Sequence, residues 1–449
     1  MEPRDSSLLR ARRSAPLRGR CRVPGDKSIS HRALLFGALA DGVVEIEGLG
    51  RGGDNVSTAR ALEALGVRIE LGGESGRVNG VGLRGFRAAA EALDCGNSGT
   101  TIRLLTGLLA GQPFSTTLRG DASLTRRPMR RLAAPLRDMG ATIEGRVDAA
   151  KPDEIYPPLT ITGGRLRGID VRLPVASAQL KSALVLAALQ AEGPSTIVEP
   201  GLSRDHTERM LRFMGAPLTS DAATGTVRVE PTGWSGHLKG GAMRVPGDLS
   251  SAAFAVVAAL IVPGSDVSVE GVGLNPTRTG VLDALTAMGA DLSVEVTGDA
   301  LGEPVGTVRA RASRLRGIRI DGALALRSID EIPALAVAAA LAEGETTFAD
   351  LRELRVKESD RIASIARELG RAGLTVVEAP DGLRVTGVGG DLARLAGGTV
   401  QPMHDHRIAM SGAILGLVAG DETVVPAEEI ATSFPTFADT LRGLGATLT

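Results

Sequence analysis

Two kinds of apolar pattern alternate along the chain. The first is apolar on nearly every side: HRALLFGALADG, TTIRLLTGLLAG, KSALVLAALQAEG, SAAFAVVAALIVPG, ALAVAAALAEG and IAMSGAILGLVAG. Segments with no polar stripe predict helices buried inside a domain. A short β-rich run follows each of them, as in VVEIEGL, STIVEP and ETVVP, and predicts a strand. The second kind is amphipathic and closes on a glycine, at Gly66, Gly140, Gly215, Gly289, Gly373 and Gly445. Glycine takes the left-handed conformation that ends a helix at little cost, so the position has a mechanical reason. These glycines are spaced by 74, 75, 74, 84 and 72 residues. The predicted unit is strand, buried helix, strand, amphipathic helix, strand, and six copies form two sets of three.

The joint between the sets is marked by a repeated phrase. RVPGD occurs at residues 22–26 and again at 244–248, each time just before the buried helix that opens a set. A chain of 449 residues is too long for one ordinary core, which agrees with two domains.

Composition narrows the function. Lys and Arg number 51 against 52 Asp and Glu, so there is no basic excess for nucleic acid or a membrane surface. Aromatic residues are 2% of the chain, too few for the stacking platforms used on single strands. Cys21 and Cys95 stand in no metal or redox spacing and are expected as small buried residues in a reducing compartment. No apolar run reaches the length of a membrane span. MEPRDSSLLRARRSAPLRGR is Arg-rich but contains Glu2 and Asp5 and no hydrophobic signal core, and it reads as a disordered tail. A cytoplasmic protein is expected.

The chemistry concentrates where buried helices begin. Asp26 and Ser28, Asn97 and Ser98, Ser177, Asp248 and Ser250, Ser328 and Asp330, and Asp405 are ordinary capping types. Cations just inside them, Lys27, Arg32, Arg103, Lys181 and Arg407, oppose the helix dipole. A sequence that repeatedly accepts that cost is expected to hold an anion on helix-start amides and side chains. Three further helix entrances have the same character. Arg127 precedes Pro128, a residue favoured at a first helical position. Arg204 and Asp205 open LSRDHTERML. Lys357, Glu358 and Arg361 open another amphipathic helix, Lys357 and Arg361 sharing a face at i,i+4. His404 and His406 in HDHRIAM lack a third ligand, and neither a phosphate-loop nor a dinucleotide fingerprint occurs. The residues alone predict a two-domain enzyme without metal or cofactor that binds small, multiply anionic substrates.

Longer motifs carry a resemblance. VPGDKSISHRALLFGALADG, DCGNSGTTIRLL, GDASLTRRPM, VASAQLKSALVLAAL, RDHTERML, VPGDLSSAAF, NPTRTG, IDEIPALAVAAALAEG, ELRVKESDRI, DHRIAMS and ATSFPTF resemble, in order, the enolpyruvylshikimate-phosphate synthases. The resemblance implies an α/β fold of two globes, three repeats in each, with helices inside and sheets outside. Residues 23–243 would form the first globe, and residues 1–22 with 244–449 the second, hinged near 22–24 and 243–246. It implies transfer of the enolpyruvyl group of phosphoenolpyruvate to the 5-hydroxyl of shikimate 3-phosphate by addition and elimination, with the globes closing to exclude water.

On matching positions, Lys27, Ser28, Arg32, Ser177, Ala178, Gln179, Arg204, Asp330 and Lys357 would bind shikimate 3-phosphate. Lys27, Gly99, Arg127, Gln179, Arg361 and Arg407 would bind phosphoenolpyruvate. Asp330 would accept the hydroxyl proton, Glu358 would protonate the methylene, and Lys27 would sit between the substrates. The chain departs from many members at Thr432, where they carry a lysine, and at Leu104, where the other class carries a proline. The variant class includes glyphosate-tolerant enzymes, so glyphosate is an expected inhibitor and Gly99 the position expected to leave it room. A monomer is expected. A related transferase acting on a UDP-amino sugar differs by a catalytic cysteine and a "KN" pair near the start.

Overall fold

The computed structural model describes residues 8–449. The chain divides into two compact units. One comprises residues 27–245 with 300–303; the other comprises residues 8–26, 246–299 and 304–449. The divisions at 26/27 and 245/246 lie beside the expected hinges at 22–24 and 243–246. The four residues 300–303 were expected in the later unit and cluster with the earlier one, where Leu301 packs into the core.

Each unit contains three repeats. The six buried helices are Lys27–Leu39, Gly99–Leu109, Ala178–Ala188, Leu249–Ile261, Ile332–Leu341 and His406–Gly416. Their lack of a polar face has the expected consequence: every residue of Leu249–Ile261 and of Ile332–Leu341 is buried. The amphipathic helices end at the predicted glycines. All six take positive φ, from 87° at Gly215 to 117° at Gly140, the region where a side chain would be strained.

The sheets repeat one design. In the first repeat, Asp41–Glu47 pairs in parallel with Lys239–Arg244 and antiparallel with Ser75–Val81, which pairs with Arg68–Gly72. The second and third repeats have the same order, each edge strand lying just before its buried helix. Strand Lys239–Arg244 thus comes from the far end of the unit and closes the set of three. Each unit has its own apolar core of Ala, Val, Leu and Ile.

In the other unit the closing strands come from the N-terminal segment. Arg18–Cys21 pairs in parallel with Asp266–Gly273, and Leu8–Ala11 pairs antiparallel with Thr423–Pro426. This corrects the expectation of a disordered tail, of which residues 1–7 lie outside the described residues. The arginines mask a period-two pattern: Leu9 and Ala11 are buried, and Arg10 and Arg12 turn outward to Glu422 at 2.7 and 2.6 Å. Among the described residues, no helix is long and apolar enough to cross a membrane.

The repeated phrase is a paired joint. The Asp26 amide donates to Pro246 O at 2.8 Å, and the Asp248 amide donates to Pro24 O at 2.9 Å. Both aspartates face one buried guanidinium, Arg278, at 3.1 and 3.3 Å.

Candidate active site

In the unit of residues 27–245, three buried helices present their N-termini. Ser98 and Ser177 cap two of them, accepting from the amides of Thr101 and Leu180. Lys27 opens the first helix and pairs with Asp54 at 2.5 Å. Arg32 lies one turn further in and is nearly fully buried. Its fork donates to Ser28 O at 2.9 Å, Ser182 Oγ at 2.8 Å and Thr207 Oγ1 at 2.7 Å. The side chain of Gln179 spans two helix starts, donating to Thr100 Oγ1 at 2.9 Å and accepting from Arg103 at 2.7 Å. Gly99 begins the second helix. Arg204 is half-buried, two residues before helix His206–Phe213.

Arg127 belongs to the same unit but not to a helix entrance. The segment forms a 3-10 turn at Leu124–Arg126, Arg127 is extended (φ −81°, ψ 130°), and the helix starts only at Arg130. Pro128 is therefore not the first helical residue; it stands two residues ahead of the helix, whose N-cap is Met129. Arg127 is held by Asn97 Oδ1 at 2.5 Å and Ser123 Oγ at 3.3 Å, while its buried Nε has no partner.

Lys181 departs from the expectation of an anion-facing cation. It is 1% exposed and bonds Glu199 at 2.6 Å and Glu208 at 2.7 Å, both equally buried. Burial opposes its charge, but the two carboxylates outweigh that and raise its pKa. Four residues in from the N-cap Ser177, its ammonium is taken up by these two buried carboxylates. Its role is structural.

In the other unit, Arg361 is the centre. It donates to Asp405 at 2.7 Å, Asp330 at 3.1 Å and Glu358 at 2.8 Å. Burial opposes its charge, and the neighbouring Asp405, Glu358 and Asp330 more than restore it, so the guanidinium is held firmly cationic. Asp405 caps helix His406–Gly416 on the Arg407 amide, and Arg407 donates to Asp330 O at 2.9 Å. Lys357 Nζ lies 3.6 Å from Asp330. Lys357 and Glu358 precede the helix, which starts at Arg361 behind the Asp360 cap, so the expected i,i+4 face does not form. Lys357 and Arg361 meet on Asp330 instead.

In the sequence Asp405 has only the mark of a cap, and Asp54 and Arg278 carry no signal; in each case the partner is distant in sequence. Asp330 lies in the turn before its helix, whose N-cap is Glu331. The two histidines diverge: His404 is exposed and pairs with Glu429 at 2.9 Å, whereas His406 is buried. Cys95 is buried and Cys21 half-buried. Burial, helped by Asp94 and Glu270 respectively, pushes their thiols up to about 12 and about 11. Thr432 is half-buried, its amide donating to Glu429 O at 3.3 Å.

The chain was compared with known proteins. Residues 11–441 match the family model of EPSP synthase (3-phosphoshikimate 1-carboxyvinyltransferase). A 3-phosphoshikimate 1-carboxyvinyltransferase of Geobacter sulfurreducens is 53% identical over 423 residues, 94% of this chain and 95% of that one. One from Synechococcus elongatus is 52% identical over 433 residues, covering 95% and 94%. The solved EPSP synthase of Acinetobacter baumannii aligns with a TM-score of 0.85 and 43% identity over 98% of this chain and 99% of that chain. The enolpyruvyl transferase NikO of Streptomyces tendae shares the fold, with a TM-score of 0.76 and 18% identity over 98% of each chain. With its six repeats, its two charged clusters and relatives that match over nearly their whole length, the chain belongs to the EPSP synthase family of transferases in the shikimate pathway.

Proposed function

We propose that this chain transfers the enolpyruvyl group of phosphoenolpyruvate to the 5-hydroxyl of shikimate 3-phosphate and releases phosphate, as a monomeric cytoplasmic enzyme. The observation that carries the reading is the placement of Asp330 and Glu358 on one buried guanidinium, Arg361. Adding an alcohol to an enol phosphate needs a base for the hydroxyl and an acid for the methylene carbon together. Asp330 takes the hydroxyl proton as the new C–O bond forms. Glu358 supplies a proton to the methylene, giving a tetrahedral adduct. Loss of a methyl proton and of phosphate then restores the double bond. Lys27 acts beside the attacking hydroxyl.

In this reading Lys27, Ser28, Arg32, Ser177, Ala178, Gln179 and Arg204, with Asp330 and Lys357, hold shikimate 3-phosphate. Lys27, Gly99, Arg127, Gln179, Arg361 and Arg407 hold phosphoenolpyruvate. Helix-start amides and guanidiniums suit a phosphate and a carboxylate. The unpartnered Nε of Arg127 supports its assignment. The cysteine-dependent alternative has little support, since a buried thiol pushed to about 12 is a poor nucleophile near neutrality.

The test is phosphate release from shikimate 3-phosphate plus phosphoenolpyruvate, with and without a chelator. Release is expected in both; none with that pair overturns the assignment, and loss with chelator overturns the metal-free mechanism. The same reading makes glyphosate an inhibitor. A methyl added at Gly99 would stand 2.6 Å from Arg103 Nη1 and 2.9 Å from Arg127 Nη1, so both guanidiniums must move. Gly99→Ala should therefore raise glyphosate tolerance, and equal inhibition of the two forms would remove Gly99 from that role.

A further inference from the structure

Arg32 is held by a hydroxyl circuit whose proton order follows from its geometry. Ser182 Oγ lies 2.6 Å from Ala178 O, where it must donate, because a carbonyl only accepts. A serine has one hydroxyl proton, so in the 2.6 Å contact between Ser182 and Thr207 the donor is Thr207. Thr207 in turn has no proton left and receives Arg32 Nε at 2.7 Å, while Ser182 receives Arg32 Nη2 at 2.8 Å. Each hydroxyl of the circuit therefore donates its one proton to a fixed partner and accepts from Arg32.

The circuit joins three elements. Arg32 and Ser28 come from helix Lys27–Leu39, Ser182 and Ala178 from Ala178–Ala188, and Thr207 from His206–Phe213. The residues beside the two hydroxyls are Lys181 and Glu208, which are ion-paired at 2.7 Å with both side chains 1% exposed. That pair clamps the same two helices, so the hydroxyls meet Arg32 at a set separation. These three bonds go to neutral oxygens and fix the plane of the fork.

We propose that Ser182 and Thr207 are positioning residues that aim the Arg32 guanidinium at an anionic group of shikimate 3-phosphate and tie it to the helix start at Ala178. This rests on the assignment of that substrate to Arg32. Neither hydroxyl touches substrate; each acts through Arg32 and should set the affinity for one substrate only.

The experiment is steady-state phosphate release, each substrate varied against saturating amounts of the other, for Thr207→Val, Ser182→Ala, Thr207→Ser and Arg32→Gln. Thr207→Val and Ser182→Ala should each raise KM for shikimate 3-phosphate about tenfold, the loss of one aligned bond. KM for phosphoenolpyruvate and kcat should stay within about twofold to threefold, and Thr207→Ser should restore the wild-type KM. A KM for shikimate 3-phosphate within about twofold of wild type in both deletions, or an equal rise for both substrates, overturns the proposal. Ser182→Ala, which places a strong helix former inside a helix, keeps the test decisive if Thr207→Val does not fold. Arg32→Gln separates the two levels. An unchanged KM there means the substrate assignment is wrong, whereas a rise without one in the hydroxyl variants defeats only the positioning role.

Discussion

The clusters around Lys181 and Arg361 are built from the same materials and do different work. Each is a buried cation on a helix with carboxylates from elsewhere in its unit. Around Lys181 all three side chains are 1% exposed, and nothing from outside can reach them. Around Arg361 the cation is equally buried, but Asp330 and Glu358 keep side-chain exposures of 12% and 21%. A carboxylate that keeps some exposure can exchange a proton with a ligand. A sealed one can only neutralise its partner. Exposure of the anion therefore separates a reactive cluster from a structural one.

The largest expected effect lies at the open cluster. Asp330→Ala and Glu358→Gln should each lower kcat by about a hundredfold or more in phosphate-release assays, a far larger effect than on substrate binding. Arg361 keeps Asp405 in both variants, so the fold retains its buried pair. Near-normal turnover in either would take that residue out of the proton chemistry and erase the contrast with Lys181.

At the sealed cluster the effect should fall on stability instead. Lys181→Met leaves Glu199 and Glu208 without their cation and should cost about 3–5 kcal/mol in denaturant unfolding, with turnover per folded molecule largely kept. The pH dependence has a definite sign. The folded state raises the lysine pKa, so its contribution is complete below the unfolded value of 10.5 and is lost as pH rises through the folded value. The gap between wild type and variant should hold from neutrality to that region and narrow above it. A gap that instead closes on acidification from neutrality would show that a group other than the lysine controls the cluster. The hydroxyl deletions at Ser182 and Thr207 should have the smallest effect, confined to one KM, because they alter the aim of a charge rather than the charge itself.

Much of the fold was legible in the chain, and for local reasons. A helix with no polar face can only be buried, and a glycine at the end of an amphipathic stretch stops it wherever it occurs. That logic located Leu249–Ile261 and the cap at Gly140 without reference to anything distant. It failed where charge hid a short pattern: Leu8–Ala11 alternates correctly, yet the surrounding arginines suggested a tail. It also failed at helix starts. Lys357 and Arg361 have helical spacing, but the helix begins only at Arg361, behind the Asp360 cap, and leaves Lys357 outside it.

At the candidate site, the residue types were visible and their partners were not. Cations placed against helix dipoles announced an anion-binding protein, and the repeated RVPGD announced two matching halves. The chain by itself thus determined the repeat, the buried helices and the stock of acids, bases and cations, because each depends on spacings of a few residues or on identity. Only the tertiary structure decided that the two copies of RVPGD bond to each other and share Arg278, that the carboxylates on Lys181 are sealed while two of those on Arg361 are not, and that Arg32 is held by two hydroxyls. Those outcomes join residues from about 18 to 250 positions apart, and which of them come within hydrogen-bond reach is set by how the helices pack.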